Sequence, residues 1–80
     1  MAGNMIQEET SAKSLNEYKK TGFYKGFNFL DKPVAAGVSI LEVFGYTSNY
    51  VFQRFNIIDG ECSTYIRKYR NGEWNDWVKL

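Results

Sequence analysis

Eighty residues allow one small domain, and a domain of that size buries only about 60–65% of the surface its unfolded chain exposes. With no histidine and one cysteine, Cys62, the chain has no intramolecular disulfide, no zinc site and none of the usual nucleophile–base pairs. A net charge of +1, from ten basic and nine acidic residues, gives no strong field for nucleic acid or membrane. No apolar run approaches the roughly 20 residues of a membrane-spanning helix, and Met1 to Thr10 lacks the apolar stretch of a signal peptide. Stability must therefore come from oligomerisation or from an aromatic core. The aromatic content of 18% suits either, because rings bury much area per residue.

In chain order, residues 1–13 are polar and aperiodic and read as a flexible or extended lead-in, the end of a linker or stalk in a longer protein. The domain is expected over 14–80. Ser14-Leu15-Asn16-Glu17 fits a capping box that opens a helix of a turn or two, stopped by Gly22, with Leu15 and Tyr18 docked on a sheet. Phe23 to Phe29 alternates around aromatics and reads as a strand in which Gly26 marks a bulge or a close backbone approach. Leu30 to Gly37, with Pro33, reads as a connector. Val38 to Tyr46 and Tyr50 to Ile58 follow as strands joined by the turn Thr47-Ser48-Asn49. Asp59-Gly60 and Asn71-Gly72 are hairpin signals, which makes Glu61 to Arg70 and Glu73 to Leu80 the last two strands. The fold class is mainly β (α+β): a small antiparallel meander of about five strands preceded by one short helix.

A two-residue turn at Asn71-Gly72 pairs Arg70 with Glu73, Tyr69 with Trp74, Arg67 with Asp76, and Ile66 with Trp77. A two-residue turn at Asp59-Gly60 sets Arg54 opposite Tyr65, Phe52 opposite Arg67 and Tyr50 opposite Tyr69. One face then holds Val51, Gln53, Phe55, Ile57, Ile66, Lys68 and Trp77 and reads as the core. The other holds Tyr50, Phe52, Arg54, Tyr65, Arg67, Tyr69, Trp74 and Asp76, rings mixed with charge. A longer Asp-Gly loop would shift this register.

Catalysis is not expected. Glu42, Asp59, Glu61, Glu73 and Asp76 supply carboxylates for glycoside hydrolysis, but a domain this small offers no deep cleft for a pair. No phosphate loop, metal cluster or dinucleotide fingerprint is present, and no cofactor is expected. Tyr65-Ile66-Arg67-Lys68-Tyr69-Arg70 interleaves bases with rings as single-strand binders do, yet alternation puts Lys68 and Arg70 opposite the tyrosines. The set Tyr65, Arg67, Tyr69, Trp74 and Asp76 suits a sugar: rings stack on its C–H faces while Arg67 donates to its hydroxyls and Asp76 accepts from them. The alternative for the same set is an Arg67–Asp76 pair under a ring-lined subunit interface. Cys62 reads as a small buried thiol.

Three blocks carry a resemblance. Leu15-Asn16-Glu17-Tyr18 with Gly22-Phe23-Tyr24, the strand Gly37-Val38-Ser39-Ile40-Leu41-Glu42-Val43, and the closing Tyr65-Ile66-Arg67 with Gly72-Glu73-Trp74-Asn75-Asp76-Trp77-Val78-Lys79-Leu80 resemble the pyocin-knob-like domains of bacteriophage fibres, over residues 14–80. The resemblance implies a domain of a tail or head fibre in a virion, generally a homotrimer, whose distal knob attaches to bacterial surface polysaccharide without catalysis. Tyr65, Arg67, Trp74 and Trp77 occupy the signature positions of the closing block. The alternative is a structural module that trimerises, caps or spaces the fibre and binds no host ligand.

Overall fold

The computed structural model describes residues 6–60 and 62–80. One mixed sheet of seven strands runs in the order β1-β2-β3-β4-β5-β6, with β7 also pairing β5. The strands are β1 (Ile6–Glu9), β2 (Gly22–Gly26), β3 (Ser39–Thr47), β4 (Tyr50–Ile57), β5 (Thr64–Arg70), β6 (Glu73–Trp74) and β7 (Val78–Lys79). β2 through β7 pair antiparallel, and β1 lies parallel to β2. The expected meander is therefore present, but part of the expected lead-in supplies an edge strand. Residues 1–5 lie outside the described residues.

The expected helix is one 3₁₀ turn, Leu15–Glu17. Ser14 caps it by accepting from the Asn16 backbone N–H at 3.0 Å, not from that of Glu17 as a capping box would. The turn stops because its carbonyls are claimed by the sheet. Gln53 Nε2 donates to the carbonyls of Leu15 and Tyr18, each at 2.8 Å, and Tyr18 is already extended at φ −93°, ψ 100°. The Leu15 N–H donates to the Leu30 carbonyl, and the Leu30 N–H to that of Lys13.

The closing hairpin turns as expected. Asn71 at φ 50° and Gly72 at φ 93° are both left-handed, as a type I′ turn requires, and Tyr69 pairs with Trp74. Two registers then differ from expectation by one residue. After Asp59-Gly60 the chain makes a longer loop, closed by the Ile57 N–H on the Ser63 carbonyl at 2.9 Å. Arg54 pairs with Ile66, Gln53 with Arg67 and Val51 with Tyr69. After Trp74 the strand breaks over 75–77 and resumes with Val78, not Trp77, opposite Ile66. Asn75 bridges the break: its N–H donates to the Lys68 carbonyl, and its side-chain oxygen accepts from the Lys68 N–H at 2.8 Å.

A one-residue slip moves every side chain of a strand to the other face. The core is accordingly built from half of each expected face. Leu41, Val43, Val51, Phe55, Ile57 and Tyr65 pack with Leu15, Tyr18 and Phe29, with Tyr69, Trp74 and Trp77 around them. Ile66 and Lys68 lie on the opposite face with Phe52 and Arg54. Cys62 is exposed, contrary to the expected buried thiol.

β1 reaches the sheet because Gly26 lacks a side chain: a Cβ there would stand 2.8 Å from the Glu9 carbonyl oxygen. Gly26→Ala is expected to push β1 off its edge and cost about 1–3 kcal/mol, read from the urea midpoint, with exchange protection lost at 6–9 and retained in β3–β5.

Candidate functional site

Five residues were singled out as ligand candidates. Tyr65 and Arg67 are buried in the core, at 9% and 7% exposure. Tyr69 and Trp74 are half-buried and pack against each other at a tilt of 54°, centroids 4.9 Å apart. Asp76 is exposed. The register break removes it from its expected place opposite Arg67, and the carboxylate whose charge acts on Arg67 is Asp31.

Arg67 instead joins three elements. Its Nε donates to Gln53 Oε1 at 2.9 Å, and its guanidinium lies between two indoles, 3.9 Å from the Trp74 ring centre and 4.3 Å from that of Trp77. Gln53, fully buried, accepts from Arg67 and donates to the 3₁₀ turn. One Arg67 nitrogen, Nη2, is buried without a hydrogen-bond partner among the described residues. The two ring faces offset part of its lost hydration, since a desolvated cation–π contact is worth about 2 kcal/mol. Burial nevertheless lowers the Arg67 pKa well below the usual arginine range, to about 10, against the opposing pull of Asp31. Sequence reasoning singled out Arg67 and Trp74 and read Trp77 as core, and it set Gln53 on the core face without giving it a role. Its signal was an amide alternating with Val51 and Phe55 on an apolar strand face.

Outside this buried cluster, the β5–β6 hairpin carries an open cleft of about 400 Å³. Lys68, Arg70, Asn71, Glu73, Trp74 and Asn75 line it. Arg70 and Glu73 are cross-strand partners, and Lys68 and Asn75 are joined through the backbone bridge described above. The cleft thus presents two cations, a carboxylate, two amides and an indole. Of the five candidates, only Trp74 contributes to it. Among the described residues, no group of three or more acidic or cysteine side chains gathers into a metal site.

The fold recurs in solved structures. The chain matches the C-terminal part of the R1 pyocin fibre of P. aeruginosa with a TM-score of 0.79 and 19% identity, over 92% of this chain and 21% of that one. It matches an N-truncated R2-type pyocin tail fibre with a TM-score of 0.74 and 19% identity, over 96% of this chain and 34% of that one. The fold is that of a pyocin-fibre domain. A further match, to the C-terminal part of the P. aeruginosa R2 pyocin fibre, has a TM-score of 0.74 and 20% identity, over 98% of this chain and 24% of that one. The chain spans about a fifth to a third of the fibre structures it matches. No protein-family model and no curated protein matches it.

The buried cluster gives two predictions. Gln53→Leu strips Arg67 Nε of its acceptor and frees the turn, and is expected to cost about 3 kcal/mol or more in urea unfolding. Arg67→Met in that background removes the stranded charge and should recover part of the loss, with a coupling of roughly 1.5–3 kcal/mol in the double-mutant cycle.

The second concerns Tyr18, which donates to the Glu9 carboxylate. Burial first, then that bond, push its phenol above the usual 10.0, and burial raises Tyr24 as well. The unfolded chain loses these protons near pH 10 while the folded chain keeps them, so their stabilisation is complete below that pH and falls above it. Arg67 acts with the opposite sign between its folded and unfolded values. Tyr18→Phe should therefore lose less stability than the wild type between about pH 9 and pH 11, read as the shift in urea midpoint.

Proposed function

We propose that this chain is a domain of a phage-like fibre and that its β5–β6 cleft meets a saccharide of the bacterial surface. The observation that carries the reading is the cleft's chemistry, on a fold shared with pyocin fibres. The Trp74 indole gives the cleft an apolar contact for sugar C–H groups. Arg70 and Lys68 donate to hydroxyl or acidic oxygens, Glu73 accepts from hydroxyls, and the amides of Asn71 and Asn75 do both. An open cleft suits a polymer passing across it better than a small molecule sealed from water. The domain acts by binding, without catalysis or cofactor. As a homotrimer it would present three clefts, and linked weak sites gain avidity without new contacts. The second reading is a module that registers or spaces the fibre. It is favoured by the burial of Tyr65 and Arg67, whose roles in the closing motif are then accounted for by packing.

The test is calorimetric titration with purified host envelope polysaccharide. Arg70→Ala and Glu73→Ala are expected to weaken binding about tenfold each, because a hydrogen bond to a charged group contributes about 1.5–3 kcal/mol. Both residues are exposed, so the melting temperature should hold. Unchanged affinity in both variants would remove the cleft from the reading. Failure of the wild type to bind leaves the structural module. Tight, steeply salt-dependent binding to single-stranded nucleic acid would replace both.

A further inference from the structure

The 3₁₀ turn and Phe29 cover one face of the sheet. On the other face, near the β3–β4 turn, lies an apolar hollow of about 250 Å³. The register builds it in rows. Phe44 on β3 pairs with Phe52 on β4, and Phe52 with Lys68 on β5. Nearer the turn, Tyr50 pairs with Arg70, and Tyr46 joins the lining past the register shift between Gly45 and Thr47. Each row thus runs from rings to a cation. The wall is apolar, so the methylene stems of Lys68 and Arg70 line it and their charged ends stay in water at the rim. Among the described residues, no acidic side chain lines the hollow, and neither charged end has an ion pair or hydrogen bond. Beyond the hollow the apolar surface continues. Phe52, Phe44 and Phe23 follow one another at ring-centre steps of 6.1 and 6.2 Å, with exposed Ile6 beside Phe23.

The geometry points to a binding site for a phosphate-headed alkyl lipid, its chain in the hollow and along the phenylalanines and its phosphate between Lys68 and Arg70. The site is independent of the saccharide reading, although hollow and cleft share those two cations. The layout separates this occupant from others. A neutral alkyl chain leaves both cations unused. A free phosphate leaves the hollow filled with water. A saccharide brings hydroxyls to a wall that cannot bond them, which costs free energy. An amphiphile with a negative head uses both parts.

The head and the chain are each specified further. Lys68 and Arg70 are alternate residues of one strand, so their backbones stand only about 6.6 Å apart on one face. Both can reach a single phosphate, which carries up to two charges and three acceptor oxygens, where a carboxylate offers one charge and two. One apolar side chain of a peptide could fill the hollow but would leave the run from Phe44 to Phe23 bare. An alkyl chain can follow that run.

The test is a titration of the 80-residue chain with hexyl, octyl and decyl phosphate, each below its micelle-forming concentration, followed by amide chemical shifts. Shifts are expected at 44–52 and 68–70, and at 23 with the longer chains. Affinity should rise about twofold per added methylene, half the roughly fourfold that full burial gives, because the ridge is open on one side. A neutral decyl glycoside should bind about tenfold more weakly than decyl phosphate, since it lacks the charged hydrogen bonds. Inorganic phosphate alone should leave the hollow's amides unmoved. Phe44→Ser is expected to abolish binding of decyl phosphate, and Tyr46→Ser, at an exposed ring, to weaken it if Phe44→Ser does not fold. Neither residue lines the β5–β6 cleft, so the polysaccharide titration should be unchanged in both variants. Absence of binding, equal affinity for the neutral glycoside, affinity that stops rising at hexyl phosphate, or binding that survives both serine substitutions would overturn the proposal.

Discussion

The fold hangs on a buried polar bridge between two neighbouring strands. Gln53 and Arg67 face each other across β4 and β5, and each uses its remaining groups to hold something else. Gln53 holds the 3₁₀ turn by two carbonyls, and Arg67 holds the closing segment through two tryptophans. A small domain with no disulfide has few ways to fasten loops to a sheet. Here a single amide and a single guanidinium fasten both ends of the sequence to the middle. A buried, incompletely bonded arginine is expensive for stability, and an apolar pair of similar volume would cost less. What the polar pair adds is direction. It accepts one placement of the turn and one placement of the indoles, where an oily contact would tolerate several.

Much of this architecture was legible in the sequence. The alternation of β2 to β5 and the Asn71-Gly72 turn were read from periodicity and left-handed turn chemistry, and the docking of Leu15 and Tyr18 from their spacing. Two things were not. The loop after Asp59-Gly60 carries one more residue than a tight turn, because the Ile57–Ser63 bond closes it further back. The closing strand absorbs an extra residue because the Asn75 side chain stands in for a backbone acceptor. Neither is a matter of propensity, and each transfers a strand's side chains to the other face. The aromatic, charged set first read as a surface thus proved to be half core. β1 was hidden for another reason: a four-residue polar edge strand has almost no apolar signal, and only the bare backbone at Gly26 admits it.

The two sides of the sheet now have different characters. The turn side is covered, with its rings packed together and its polar groups bonded apart from Arg67 Nη2. The open side carries Phe23, Phe44 and Phe52 in edge and tilted contact, and the β5–β6 cleft, lined by Lys68 and Arg70, lies at its margin.

The parallel placement of β1 also fixes how the domain bears tension. β1 and β2 run one way, β3 the other, and so on across the sheet to β7, which runs with β1 from the opposite edge. The start of β1 and the end of β7 therefore sit at diagonally opposite corners. A pull applied between those corners crosses β2, β3, β4 and β5 in turn instead of unzipping one hairpin. The short outer strands would yield first, and the long β3–β4–β5 centre would carry the load last. Resistance to such a pull is governed by the rate of unfolding and not by equilibrium stability.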